Sequence, residues 1–160
     1  MNPRLLILNG PNLNLLGERE PEIYGSTTLA ATEENCAANA EVLGVGVKFH
    51  QSNHEGELVD WIQQARHDAD AIIINPAGLS FHSVPILDAL RMFSGPIIET
   101  HISNIYARDE QHRHSILSAV STAVICGLGP YGYLVAMHAA AYMLGARPDS
   151  LPEPIRNGPN

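Results

Sequence analysis

The chain has few cysteines and few basic residues, and each shortage excludes a class of protein. Its 160 residues include only two cysteines, Cys36 and Cys126, which form neither a disulfide framework nor a CxxC motif. We therefore expect buried free thiols. Nine basic residues stand against 17 acidic ones, and the resulting net charge of −8 argues against nucleic acid as a partner.

The sequence also lacks an apolar run of membrane length. No signal-peptide pattern follows the first residues, and no run reaches the roughly 20 apolar residues of a membrane span. Hydrophobic residues make up 45% of the chain and charged residues 16%, as is typical of ordinary globular domains. We expect a cytoplasmic protein with no membrane partner.

Apolar runs alternate with helical patterns along most of the chain. They predict strands at 5–8, 45–50, 71–75, 96–100 and 123–126, and helices at 28–43, 55–68, 82–92 and 131–144. Strands that are apolar on both faces are typical of a parallel sheet covered by helices on both sides. The sequence predicts an α/β protein with a flavodoxin-like, doubly wound, five-stranded parallel sheet. We assign residues 1–146 to this single domain and 147–160, which contain four prolines, to a C-terminal tail.

The segment 98–104 is the most informative part of the sequence, because it combines several reactive side chains at a predicted strand end. Alternation along the strand should place Glu99, His101 and Ser103 on one side. A carboxylate beside an imidazole can orient the ring for acid–base catalysis. The alternative is a helix start capped by Ser103 or Asn104, and both interpretations can hold because a helix N-terminus also binds anions.

Polar groups also follow two other predicted strands. Residues 9–12 follow the first strand and 75–78 the third, and ligands in this fold bind beyond the carboxyl ends of the strands. The long polar loop at 12–25 is a candidate lid, and in it Arg19 could favour the phenolate form of Tyr24. Asparagines that only form turns, with a surface arginine and tyrosine, are the alternative.

Two further motifs are weaker. His112 and His114 could suggest a metal site, but residues two apart on a helix are not neighbours and no third ligand is evident. The G-x-G-x-x-G pattern at 127–132 resembles a dinucleotide fingerprint, but no further βαβ unit follows it, and a tight strand-to-helix turn is the better interpretation. We expect neither a metal nor a cofactor.

Four segments carry a family resemblance: ILNGPNLNLLGEREPEIYG, INPAG, ETHISNIYARDEQHRHS and CGLGPYGY. Through them the chain resembles type II 3-dehydroquinate dehydratase over about residues 5–144. The resemblance implies the shikimate pathway of aromatic amino acid biosynthesis, with anti elimination of water from 3-dehydroquinate through an enolate to give 3-dehydroshikimate. It implies a carboxylated cyclic ketone as substrate, no cofactor, and a homo-oligomer, a dodecamer built from trimers.

The resemblance also implies catalytic roles. Tyr24 would remove a proton beside the ketone, and Arg19 and Arg113 would stabilise its phenolate. His101, oriented by Glu99, would protonate the departing hydroxyl group.

The remaining implied roles concern substrate binding. Asn12 would help to hold a water molecule that stabilises the enolate. The substrate carboxylate would be bound by Asn75, the Ser103 hydroxyl and the backbone N–H groups of Ile102 and Ser103. Asp88 would serve the site of a neighbouring subunit.

The chain departs from the family pattern where the substrate diol would bind. Phe81 takes the place of a histidine that contacts the ring hydroxyls, and His82 follows one residue later. His112 replaces an arginine and Met92 an acid. A different carboxylated keto substrate, or another enolate-type reaction in a biosynthetic pathway, is therefore the alternative function. A non-catalytic binder is disfavoured because the catalytic set is retained.

Overall fold

The computed structural model describes residues 1–146 and 148–152. Five strands form one sheet: β1 Arg4–Asn9, β2 Gly46–Gln51, β3 Ala71–Asn75, β4 Ile97–His101 and β5 Ala123–Cys126. Their order is β2-β1-β3-β4-β5, and every neighbouring pair is parallel. The predicted doubly wound fold is confirmed, and each predicted strand lies within one residue of the observed one.

The helices follow the predicted pattern, with additions. They are α1 Pro21–Tyr24, α2 Leu29–Leu43, α3 Glu55–Asp68, α4 Val84–Arg91 and α5 Tyr131–Met143. Helix α4 is shorter than the predicted 82–92 because Ser83 is its N-cap, with the hydroxyl accepting from the N–H of Ile86 at 3.1 Å. The short α1 and five 3-10 turns, among them 77–81, 105–107 and 110–112, were not predicted.

The central strands bury side chains on both faces of the sheet. Leu5 and Ile7 of β1 pack in one apolar cluster with α2 and α5, and Leu6 and Leu8 pack in the other with α3 and α4. A fully buried leucine or isoleucine contributes about 1.5–3 kcal/mol. The continuous apolar runs therefore reflect burial of both faces, as parallel sheets require.

The two thiols differ in burial. Cys36 is fully buried, and burial raises the pKa of its thiol to about 12. Cys126 is free but only half-buried, because β5 is an edge strand, so the expected burial is wrong for this residue. Within residues 1–146 and 148–152, no helix is long and apolar enough to span a membrane. The predicted proline-rich tail lies outside the described residues except at 148–152.

A close backbone crossing at Gly10 positions the ends of β1 and β3. Its N–H donates to the carbonyl of Asn75 at 2.8 Å, and a Cβ at Gly10 would lie 2.3 Å from the carbonyl oxygen of Pro76. Gly10→Ala must therefore push the two loops apart.

We expect Gly10→Ala to destabilise the protein by about 1–3 kcal/mol, measured by denaturant unfolding. Gly56→Ala on α3, where a Cβ meets nothing within 4 Å, is the matched control and should be neutral or stabilising. Equal stability of the two variants would contradict a close backbone contact between Gly10 and Pro76.

Candidate active site

A cavity of about 240 Å³ lies where β1, β3 and β4 end. The sequence pointed to this edge of the sheet because ligands of doubly wound folds bind there. Nine of the residues with an expected role line the cavity: Asn12, Arg19, Tyr24, Asn75, Phe81, His101, Ile102, Ser103 and His112. The structure therefore brings together most of the groups that the sequence singled out.

The end of β4 holds a carboxylate behind an imidazole. Glu99 is completely buried and accepts hydrogen bonds from the hydroxyls of Ser115 and Ser118, the latter at 2.7 Å. Nε2 of His101 lies 3.3 Å from Oε2 of Glu99, an ion-pair distance without the alignment of a hydrogen bond. Because Nε2 faces the carboxylate, Nδ1 is the ring nitrogen that can exchange a proton with a ligand in the cavity.

The charge of Glu99 is maintained inside the protein. Burial raises the pKa of Glu99, but the interactions with His101, Ser115 and Ser118 outweigh burial and leave the net pKa below its usual value. An ionised carboxylate at this position orients the imidazole ring of His101. The pair can therefore deliver a proton to a leaving group.

Two guanidinium groups flank the ring of Tyr24. The Cζ atoms of Arg19 and Arg108 lie 5.4 and 5.7 Å from the ring centroid. Cations at this distance are attracted to the face of an aromatic ring. Sequence reasoning had given no role to Arg108, although it lies in the same motif as His101.

Arg113, which was expected beside Tyr24, lies outside the cavity. Its Nη2 donates to the backbone carbonyl of Arg108 at 2.8 Å, and its Nη1 lies 3.6 Å from Glu110. The structure thus places Arg108, and not the expected Arg113, beside Tyr24, and Arg113 holds the backbone from which Arg108 extends.

Asn12 adopts a left-handed backbone conformation, with φ of 70°. Its N–H donates to Oδ1 of Asn53 at 2.8 Å, and the same oxygen accepts from Gln51 at 3.2 Å. A non-glycine residue in this conformation is held by its surroundings and is common at functional sites. The contacts of Asn53 therefore fix where the Asn12 side chain enters the cavity.

The predicted helix start after β4 is only a turn. Asn104 caps the 3-10 segment 105–107, accepting from the N–H of Tyr106 at 3.1 Å. A segment of three residues contributes little helix dipole. Any anion held here would therefore depend on the Ser103 hydroxyl and on local N–H groups.

Phe81 and His112 form one wall of the cavity. Their ring centroids lie 5.6 Å apart in an edge-to-face arrangement. Nδ1 of His112 lies 2.8 Å from both carboxylate oxygens of Asp109, and this hydrogen bond holds the pKa of Asp109 below its usual value. The pairing leaves Nε2 of His112 for other contacts.

Besides Glu99, which lies behind His101, and Arg113, two further residues with expected roles do not line this cavity. His82 is exposed, and Asp88 is exposed on α4, where it lies 3.4 Å from Arg91. Within residues 1–146 and 148–152, no group of three or more histidine, cysteine or acidic side chains could hold a metal ion.

Comparison with known proteins identifies the family. The model of the family described as dehydroquinase class II matches residues 3–141. The chain belongs to this family. It is 48% identical to 3-dehydroquinate dehydratase 1 of Agrobacterium fabrum, over 87% of this chain and 96% of the relative. It is 55% identical to 3-dehydroquinate dehydratase of Streptomyces avermitilis, over 88% of this chain and 89% of the relative.

Solved structures show the same likeness. Type II dehydroquinase of Propionibacterium acnes superimposes with a TM-score of 0.86 at 43% identity, covering 89% of this chain and 98% of that chain. A 3-dehydroquinate dehydratase-like protein of Bifidobacterium longum is more distant, with a TM-score of 0.68 at 27% identity and coverage of 89% and 98%. The fold of the family therefore extends over almost all of the described chain.

The lowered pKa of Glu99 predicts how stability depends on pH. Below the ordinary glutamate value of 4.5, the unfolded chain binds more protons than the folded one, so stability should fall as the pH drops through this window. We expect Glu99→Gln to flatten this part of the curve, measured by urea unfolding between neutral pH and pH ~3. Glu22→Gln, at an exposed position, controls for the loss of one charge. Identical slopes for Glu99→Gln and wild type would contradict an ionised buried Glu99.

Proposed function

We propose that this chain is a type II 3-dehydroquinate dehydratase, a hydro-lyase that converts 3-dehydroquinate to 3-dehydroshikimate. One observation carries the proposal: the same cavity is lined by a tyrosine with two guanidinium groups over its ring and by a histidine backed by a buried carboxylate. Elimination of water beside a ketone needs such a base and such an acid. The relatives named above support dehydroquinate as substrate, and none favours the alternative reaction.

In this mechanism Tyr24 acts as a phenolate and removes a proton from the carbon beside the ketone. The electron pair of that C–H bond passes into an enolate. The enolate then re-forms the ketone and a C=C bond as the bond to the β-hydroxyl breaks, and His101 protonates the departing oxygen. Arg19 and Arg108 place positive charge over the ring of the base, and Glu99 orients His101 for proton donation.

The carboxylate of the substrate is held by Asn75, the Ser103 hydroxyl and the N–H groups of Ile102 and Ser103. This assignment is supported because all three residues line the cavity. Asn12 holds a water molecule against the enolate, and its fixed backbone supports this role. Hydrogen-bond donors that are already in place lower the cost of organising the site for the transition state.

Phe81 and His112 contact the ring hydroxyls of the substrate. Asp109 uses Nδ1 of His112, so Nε2 is the atom that can bond to a hydroxyl group. Phe81 supplies only apolar contact. His82 is exposed and contributes nothing to the cavity of its own chain.

The protein is a cytoplasmic homo-oligomer, a dodecamer built from trimers, in the shikimate pathway. The surface of α4 supports the assembly: Val84 and Met92, one turn before and one turn after Asp88, are about half exposed. Subunit association would cover these two exposed apolar side chains. In this arrangement Asp88 reaches the site of a neighbouring subunit.

The first test is turnover of 3-dehydroquinate, followed by the ultraviolet absorbance of the enone product. We expect wild type to be active and Tyr24→Phe to lose about 10²–10⁴-fold in kcat, as expected for loss of a general base. Tyr131→Phe, at an exposed position on α5, is the matched control and should retain activity. An inactive but folded wild type, or an active Tyr24→Phe, would contradict the proposal.

A second test separates the two arginines that follow β4. Arg108→Gln removes a cation beside Tyr24, whereas Arg113→Gln removes a hydrogen bond to the backbone and an exposed ion pair with Glu110. We expect the loss in kcat to be about tenfold greater for Arg108→Gln, since a cation over an aromatic ring contributes about 1–2 kcal/mol and Arg113 acts only through the backbone of Arg108. The reverse order would restore the role expected for Arg113 from the sequence.

A further inference from the structure

A chain of buried polar groups runs behind the cavity wall to Asn75. Nδ2 of Asn9 donates to the carbonyl of His50 at 3.1 Å, and the hydroxyl of Tyr133 donates to Oδ1 of Asn9 at 2.5 Å. Nδ2 of Asn75 donates to the oxygen of Tyr133 at 2.9 Å, and Oδ1 of Asn75 accepts from the N–H of Ala77 at 3.3 Å. Asn9 and Tyr133 are fully buried, and Asn75 is 3% exposed.

The backbone carbonyl of His50 determines the direction of every hydrogen bond in this series of polar groups. A backbone carbonyl can only accept, so Asn9 must turn its NH₂ group to His50 and its oxygen to Tyr133. The single hydroxyl proton of Tyr133 is used on that oxygen. Burial also raises the pKa of Tyr133, so the hydroxyl keeps its proton. Tyr133 can then only accept from Asn75, which must present its NH₂ group.

This constraint, together with the N–H of Ala77, which can only donate to Oδ1, fixes the amide of Asn75 in one of its two orientations. An amide NH₂ has two hydrogens, and Tyr133 uses one of them. Asn75 lines the cavity, and its second N–H is the donor left for a ligand there. A flipped amide would instead present its oxygen on that side, which repels a carboxylate.

We propose that Tyr133 and Asn9 are positioning residues, which hold the amide of Asn75 so that it donates a hydrogen bond to the substrate carboxylate. The inference rests on the proposed function, because it takes the carboxylate as the group bound at Asn75. The packing of α5 does not itself require the hydroxyl, since a phenylalanine ring would fill the same space. A buried hydroxyl is costly unless its bonds are satisfied, and here both are satisfied by amides.

The test is a double-mutant cycle between Tyr133→Phe and Asn75→Ala, with KM and kcat for 3-dehydroquinate measured for each variant. We expect Tyr133→Phe to raise KM roughly tenfold, as loss of one well-placed hydrogen bond does, with a smaller change in kcat. In the Asn75→Ala background the same substitution should leave KM nearly unchanged, because the amide through which Tyr133 acts is absent. Tyr131→Phe is the control on the same helix.

The outcomes distinguish failure of the proposed function from failure of the positioning role of Tyr133. No turnover by wild type overturns the proposed function. Turnover by wild type, with KM effects of Tyr133→Phe and Asn75→Ala that multiply, overturns the positioning role, because a purely structural hydroxyl acts independently of Asn75. So does an unchanged KM in Tyr133→Phe. Thermal unfolding followed by circular dichroism checks that each variant is folded.

A second variant, Asn9→Ala, tests the hydrogen bond between Tyr133 and Asn75 by removing the group that accepts the Tyr133 proton. It is needed in case Tyr133→Phe does not fold. Asn9→Ala frees the hydroxyl proton of Tyr133, which can then bond to the oxygen of a flipped Asn75 amide, so that only the long 3.3 Å bond from Ala77 still opposes the flip. We expect KM to rise by a similar factor with kcat less affected. An unchanged KM in folded Asn9→Ala would overturn the inference.

Discussion

The in-register parallel pairing of β1, β3 and β4 is the constraint on which the site depends. Asn9 is paired with Asn75, and Ile74 with Glu99, so the polar residues at the three strand ends meet at one edge of the sheet. A shift of one residue in either pair would turn each of these side chains to the opposite face. The apolar residues that precede them are buried on both faces of the sheet and stabilise this register. They therefore also keep the polar side chains in position.

A buried charge is the costly element at this edge, and the surrounding residues compensate for it. Glu99 is out of contact with water, which would favour its neutral form, yet two serine hydroxyls and His101 keep it ionised. Both serines belong to the irregular segment between β4 and β5 that also carries Arg108. The same segment therefore stabilises the acid and places a cation beside the base, which links the two halves of the proposed reaction.

The sequence was sufficient for the sheet and for most of the cavity. The bounds of β3, β5 and α3 were predicted to the residue, because short apolar runs between polar, proline or glycine residues mark the two strands and a helical apolar period marks α3. Glu99 and His101 meet as strand alternation requires. Residues 105–120 have no such period, since they form three short 3-10 turns, and side-chain direction there cannot be read from spacing. That is why Arg108 was missed and why the chain through Tyr133, made of residues far apart in sequence, was not foreseen.

The most direct test of the account is the stereochemistry of proton loss. 3-Dehydroquinate deuterated stereospecifically beside the ketone would be converted by the enzyme, and the deuterium in the product measured by nuclear magnetic resonance. A tyrosine base and a histidine acid that act in an anti elimination predict loss of the hydrogen anti to the departing hydroxyl, in every turnover. Loss of the syn hydrogen, or of both without preference, would contradict the assignment of these two groups.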